Sequence, residues 1–143
     1  MNALFWIILI ALISEFVIGA LSTMLNMRSL DASPPPGLET MYDNQDYRKS
    51  QEYTRVQSRF GLIVSALKLA MLLTFWFVGG FNYIDQLIRV MEWNGIGNGI
   101  AFIGILTMLF MILNLPAELY ATFVIEERFG FNTTTYSTFA LDT

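Results

Sequence analysis

Histidine and cysteine are both absent from this chain of 143 residues, and the two absences exclude a good deal of chemistry. Without Cys there is no disulfide framework and no thiolate nucleophile. Without His there is no imidazole base, and zinc loses its commonest nitrogen and sulfur ligands. Charge is scarce as well. Only 14% of the residues are charged, against roughly 25% in an ordinary soluble domain. The formal net charge is −4 and no basic cluster accompanies it, which excludes nucleic acid as the natural partner. Proline is limited to four residues, three of them consecutive, so most of the chain is free of helix breakers.

What the chain has in abundance is apolar mass. Hydrophobic residues make up 55% of it and aromatics 15%, with twelve Phe and eight Met, and the mean hydropathy is +0.51. Such a composition excludes disorder. It also excludes an ordinary soluble globule, since a domain this small leaves much of its surface in water and has few charges to cover it. The chain reads as an integral, multi-pass membrane protein whose first partner is the lipid bilayer.

Three stretches approach the ~20 residues that a helix needs to cross a bilayer. The first lies within residues 1–25 and is interrupted by Ser14-Glu15 and Ser22-Thr23. The second, 60–81, carries Lys68 as its one charge, and the third, 100–128, contains Pro116 and Glu118. The expected fold is an all-α membrane protein, three transmembrane helices with a long amphipathic helical extension before the second span. The first span reads as an anchor and not a cleaved signal. No Lys or Arg precedes it, and its apolar run outlasts the usual length of about 7–15 residues.

The segments between the spans differ in character. Residues 26–59 form the expected cytoplasmic loop and the helix leading into the membrane. Ser33-Pro34-Pro35-Pro36-Gly37 is an extended, helix-breaking stretch. Beyond it Asp43 is placed to cap a helix, with Asp46 at the positive end of the dipole. Tyr47, Gln51 and Arg55 then share one face, and Tyr53, Val56 and Phe60 line another at 3–4 spacing. No breaker occurs from Asp43 to Val78, so one helix is expected to start in water and enter the bilayer near Phe60. Residues 82–99 are the expected external loop, ending in a run from Asn94 to Gly99 that permits a tight re-entry. Gly95 and Gly99 also fit a GxxxG helix-contact pattern. The run lacks the order GxxxxGK[ST] and is no phosphate cradle. Residues 129–143 open the next cytoplasmic segment.

Orientation follows from the basic residues. The first connection holds Arg28, Arg48, Lys49, Arg55 and Arg59, whereas the second has Arg89 and the tail has Arg128. The positive-inside rule then places the N-terminus outside and the first connection inside. The absence of Cys is compatible with a bacterial cytoplasmic membrane. Asn132-Thr133-Thr134 matches a glycosylation acceptor, but this topology puts it on the cytoplasmic side, where it is read as structural.

Two charges fall inside the bilayer, where each costs ~2.5–3.5 kcal/mol on insertion scales. Glu15 and Lys68 lie roughly 15 Å and 12 Å from the inner ends of their spans. The depths allow the two to pair or to face one wet interior. Snorkelling by Lys68 and protonation of Glu15 are the alternative. In the third span Pro116 frees a backbone carbonyl one turn earlier, which is the expected origin of a kink. No catalytic constellation accompanies these residues. Glu118, Glu126 and Glu127 fall near one another on a helix, but a Glu pair beside Arg128 also reads as a solvated helix end. Ser and Thr have no His partner to activate them.

One segment adds more. Leu115-Pro116-Ala117-Glu118-Leu119-Tyr120 leads into Ala121-Thr122-Phe123-Val124-Ile125-Glu126-Glu127, and then Arg128-Phe129-Gly130-Phe131-Asn132. It resembles the "LP…Y.TFVIEE..GFN" signature of the type I CAAX prenyl proteases, which are integral-membrane zinc metalloendopeptidases. Tyr42 followed by residues 47–53 is similar to the family's "Y.KSQ.Y" segment, and Thr133-Thr134-Thr135…Phe139…Asp142 to its "T…F..D" continuation. The likeness spans about residues 39–142.

The resemblance implies the N-terminal membrane region of a larger hydrolase, part of the wall of an intramembrane chamber. It implies partners in the remaining C-terminal helices and the catalytic domain of the same enzyme. It implies zinc in the full-length protein, held through an H-E-x-x-H motif and a further Glu, with none held in this chain. This chain departs from the family pattern there: it has no His, so it is expected to be inactive in proteolysis by itself and to be a fragment. Pro116, Glu118, Glu126, Glu127, Arg128, Gly130 and Asn132 are the candidate signature residues, and a docking role is expected for Glu126, Glu127 and Arg128. The alternative reading is a free-standing three-span membrane scaffold or interaction protein without enzymatic activity.

Overall fold

The computed structural model describes residues 2–30, 43–135 and 137–139. Among these there is no strand, and the elements are helices throughout. The triple proline at 34–36, Tyr42 and Asp142 lie outside the described residues. Helix α1 runs Ala3–Arg28 and α2 runs Asn44–Phe77. A short α3 covers Gly80–Arg89, and α4 spans Gly95–Tyr120. The chain then continues through a π-helical segment, Ala121–Glu126, into the single turn α5, Glu127–Phe129.

The helix ends obey local chemistry. Asn2 caps α1, its side chain accepting from the Phe5 amide at 3.0 Å, and Arg28 sits in the last turn, where the dipole favours a cation. The Asp43 carboxylate accepts from the Gln45 amide at 2.9 Å, which starts α2 where the cap was expected. α2 then runs 34 residues without a break, or about 51 Å. That exceeds the roughly 30 Å hydrocarbon core, so its polar first half belongs outside the apolar layer. The long amphipathic extension read from the sequence is therefore present as continuous helix.

Three helices, α1, α2 and Gly95–Phe129, are long and apolar enough to cross a membrane. The protein is an integral, multi-pass membrane protein. α4 begins earlier than the loop reading of 94–99 implies, because Gly95 is already helical and the Asn94 side chain accepts from the Gly97 amide at 2.7 Å. That cap satisfies an orphan donor of the first turn, and Gly in a membrane helix carries less penalty than in water.

By its contacts the chain divides into two compact units, Met1–Ala66 with Leu119–Thr143, and Leu67–Glu118. The first buries Ile125 and Phe129, and its Arg55 guanidinium donates to the Leu30 carbonyl at 3.2 Å. The second buries Ile84 and Ile88, together with Gly80 and Asn114. In that unit Gly79, at φ 80°, turns the chain from α2 into α3, a left-handed conformation that favours glycine. Gly80 follows against the Phe75 ring, where a Cβ would overlap it.

Candidate functional site

The first unit brings the polar half of α2 against the end of the third span. The Tyr53 ring stands edge-on to Phe129, with centroids 5.6 Å apart, and edge-on to Phe131 at 4.9 Å. Burial pushes the pKa of its hydroxyl up, and the nearby Glu126 carboxylate adds to the shift. Seven residues further along α2, Phe60 meets the Tyr120 ring at 5.0 Å. The line through Tyr53, Val56 and Phe60 is therefore the face that α2 turns toward this segment. Lys49 adds its ammonium over the Phe131 ring, 5.3 Å from the centroid, a cation–π contact.

The segment that Tyr53 meets is shaped by its own backbone. Six residues from Ala121 to Glu126 take the wider π-helical turn. Gly130 at φ 67° then ends α5, with its amide donating to the Glu127 carbonyl at 3.0 Å. The Phe131 amide reaches the Glu126 carbonyl at 2.9 Å. Only glycine holds that left-handed position without strain. Asn132 completes the turn from both ends of its amide. Its Nδ2 donates to a Glu127 carboxylate oxygen at 2.9 Å, and its Oδ1 accepts from the Thr134 amide at 2.8 Å. A side chain so engaged is a poor acceptor for a glycan.

Of the signature residues, Glu126, Glu127, Gly130 and Asn132 thus come together in one turn. Arg128 is exposed beside Phe129, its guanidinium carbon 5.6 Å from that ring. Pro116 and Glu118 belong to the other unit and are exposed on α4. Glu15 is exposed on α1, in the first unit. Lys68, in the second, is exposed with its ammonium 5.9 Å from the Phe110 ring centroid. Among the described residues no group of three His, Cys, Asp or Glu could hold a metal.

Two polar side chains escaped the sequence reading. Asn114 is 5% exposed on α4; its Nδ2 donates to the Phe110 carbonyl at 2.7 Å, and its Oδ1 has no partner. The Asn98 Oδ1 is likewise buried without a partner. An Asn in a long apolar run is the available signal, and it is a weak one.

Residues 23–143 match the family model described as CAAX prenyl protease N-terminal, five membrane helices. The chain belongs to this family. Among CAAX prenyl protease relatives, it is 32% identical over 126 residues to the "Probable CAAX prenyl protease 1" of Schizosaccharomyces pombe, covering 79% of this chain and 27% of that one. It is 29% identical to CAAX prenyl protease 1 of Saccharomyces cerevisiae, over 76% of this chain and 26% of the relative. For the human CAAX prenyl protease 1 homolog the identity is 31%, over 76% and 24%. The crystal structure of S. mikatae Ste24p superposes with a TM-score of 0.79 at 27% identity, covering 92% of this chain and 32% of that one. The chain spans about a quarter of the length of the curated relatives it matches. The CAAX prenyl protease signature from Leu115 to Asn132 falls wholly inside the matched region, and its second half is the turn that closes on Tyr53.

Proposed function

We propose that this chain serves as a non-catalytic membrane wall of a CAAX prenyl protease-like metalloendopeptidase. In this reading α1, α2 and α4 border an intramembrane space that admits a lipidated or membrane-associated substrate, and peptide hydrolysis belongs to residues elsewhere in the protein. Zinc, the family's metal, does not fit the residues present. The chain has no His and no Cys, and the described carboxylates form no ligand group. No step of hydrolysis is therefore assigned to these side chains.

The observation that carries the reading is the use of the signature carboxylates. Glu126 lies against the Tyr53 hydroxyl, and Glu127 accepts from Asn132. Both are committed to shaping the turn, and neither is aimed at a reacting atom. The turn lies at the foot of the third span, on the side that the basic count of the first connection assigns to the cytoplasm. Glu126, Glu127 and Arg128 then present a rigid edge on which a catalytic domain docks. Glu15 and Lys68, each in its own unit, have water-accessible surroundings in this reading, which lowers the cost of both charges.

The test is made in the whole protein. Glu126→Ala is expected to lower thermal stability and zinc retention, because the docking edge loses its shape. Unchanged zinc content and unchanged stability overturn the docking assignment. Lys68→Leu is expected to disturb folding if Lys68 borders a polar interior, and a variant as stable as the parent argues against that placement.

A further inference from the structure

The short helix α3 has three arcs, and only two of them have an explanation within the protein. Gly80, Ile84 and Ile88 are buried in the second unit. Asn82, Asp85, Gln86 and Arg89 form a polar arc, on which Asp85 and Arg89 neutralise one another at 2.7 Å. Between these arcs Tyr83, Leu87 and Val90 repeat at i, i+4 and i+7 and are 67%, 48% and 81% exposed. The chain beyond the helix continues the same character, with Met91 and Trp93 both exposed. An apolar face of this kind beside a buried face and a charged face calls for a third environment.

The position of α3 in the chain says which environment that is. It begins three residues after the apolar end of α2 and finishes six residues before α4 begins. Both of those helices are membrane spans by length and composition. Ten residues make a helix about 15 Å long, half of what crossing the hydrocarbon core requires. Its polar arc must stay in water while its neighbours on either side enter lipid. Tyr and Trp are the residues enriched at the headgroup level, where an apolar ring and a polar tip are both satisfied.

We propose that α3 is an interfacial anchor that lies at the bilayer surface and buries Tyr83, Leu87, Val90 and Trp93 at the headgroup–acyl boundary. The occupant of this face is lipid, continuous with the lipid that surrounds the ends of α2 and α4. The arrangement is that of an amphipathic helix resting in the interface, here tied down at both ends by spans. Its function is to fix the depth and the rotation of those spans.

The experiment uses nitroxide labels on single cysteines, since residues 1–143 hold no Cys of their own. Asn82→Cys, Tyr83→Cys, Gln86→Cys, Leu87→Cys and Val90→Cys are made in the whole protein. Each is reconstituted in nanodiscs of phosphatidylcholine and phosphatidylglycerol. Collisions with oxygen, which concentrates in lipid, are compared with collisions with a water-soluble nickel chelate. Labels at 83, 87 and 90 are expected to favour oxygen several-fold over those at 82 and 86. Nickel accessibility equal at all five positions overturns the proposal. So does shielding of 83, 87 and 90 from both reagents, the result expected if another protein segment covers this face. Should labelling at Leu87 prevent folding, Val90→Cys and Trp93→Cys read the same face from the helix end and beyond.

Discussion

Among the described residues the two units bury the same number of large apolar residues and use them differently. In the first, Ile125 and Phe129 are surrounded by directional contacts, namely the aromatic pairs of Tyr53, the Lys49–Phe131 contact and the two hydrogen bonds of Asn132. The second, which buries Ile84 and Ile88, holds a glycine set against a phenylalanine ring, an exposed ion pair, and an Asn whose acceptor is unpartnered. The difference follows from the solvent. At the water-facing end of the spans a defined turn needs bonds that compete with water, and the signature supplies them. At the turn from α2 into α3 the close approach of a small residue, Gly80, to the Phe75 ring does the positioning instead.

The largest effect should come from breaking the first unit at its centre. Phe129→Ala removes a buried ring together with its edge-on contact to Tyr53, and is expected to lower stability by about 3 kcal/mol. Thermal unfolding in detergent micelles measures it. A loss below about 1 kcal/mol, the size of an ordinary single substitution, means that this cluster does not hold the unit together. Gly80→Ala is the counterpart in the second unit. The added methyl overlaps the Phe75 ring, and displacing an aromatic in a packed site costs about 1–3 kcal/mol. Phe75→Leu in the same background should recover part of the loss. No recovery would mean that steric contact is not what makes Gly80 necessary.

How much of this was legible beforehand depends on which physical signal each element carries. The three long helices were visible because unbroken apolar length is a strong signal, and Asp43 announced the start of α2 through its side chain. The face through Tyr53 and Phe60 was visible in its spacing, though not what it would meet, since contacts across roughly 70 positions leave no local trace. Helix α3 lies where the sequence predicts a loop, because its polar arc and its glycine neighbours resemble turn residues. The π-helical turn at 121–126 has no compositional mark at all. Gly130 takes a φ of 67°, a left-handed conformation that explains why a glycine stands there.

A smaller effect distinguishes directional bonding from mere polarity in the first unit. Asn132→Ala deletes the donor to Glu127 and the acceptor of the Thr134 amide, and is expected to cost about 1–2 kcal/mol. Asn132→Asp keeps the acceptor but sets a carboxylate against Glu127. It should be more harmful than alanine at neutral pH. Equal stability of the two variants would show that the Glu127 contact contributes nothing.

The smallest effect carries the sharpest contrast, because it asks for an Asn in the second unit to behave in the opposite way. The Asn114 amide donates to a carbonyl of its own helix at 2.7 Å, and its Oδ1 is buried with no partner. An orphaned acceptor is a liability that an apolar residue of similar size removes. Asn114→Leu should therefore leave unfolding in detergent unchanged or raise stability by up to about 1 kcal/mol, whereas Asn132→Leu should lower it as alanine does. A clear loss at Asn114 would instead mean that the Oδ1 receives a donor from outside residues 67–118, and that the apolar unit, like the polar one, is positioned by a hydrogen bond.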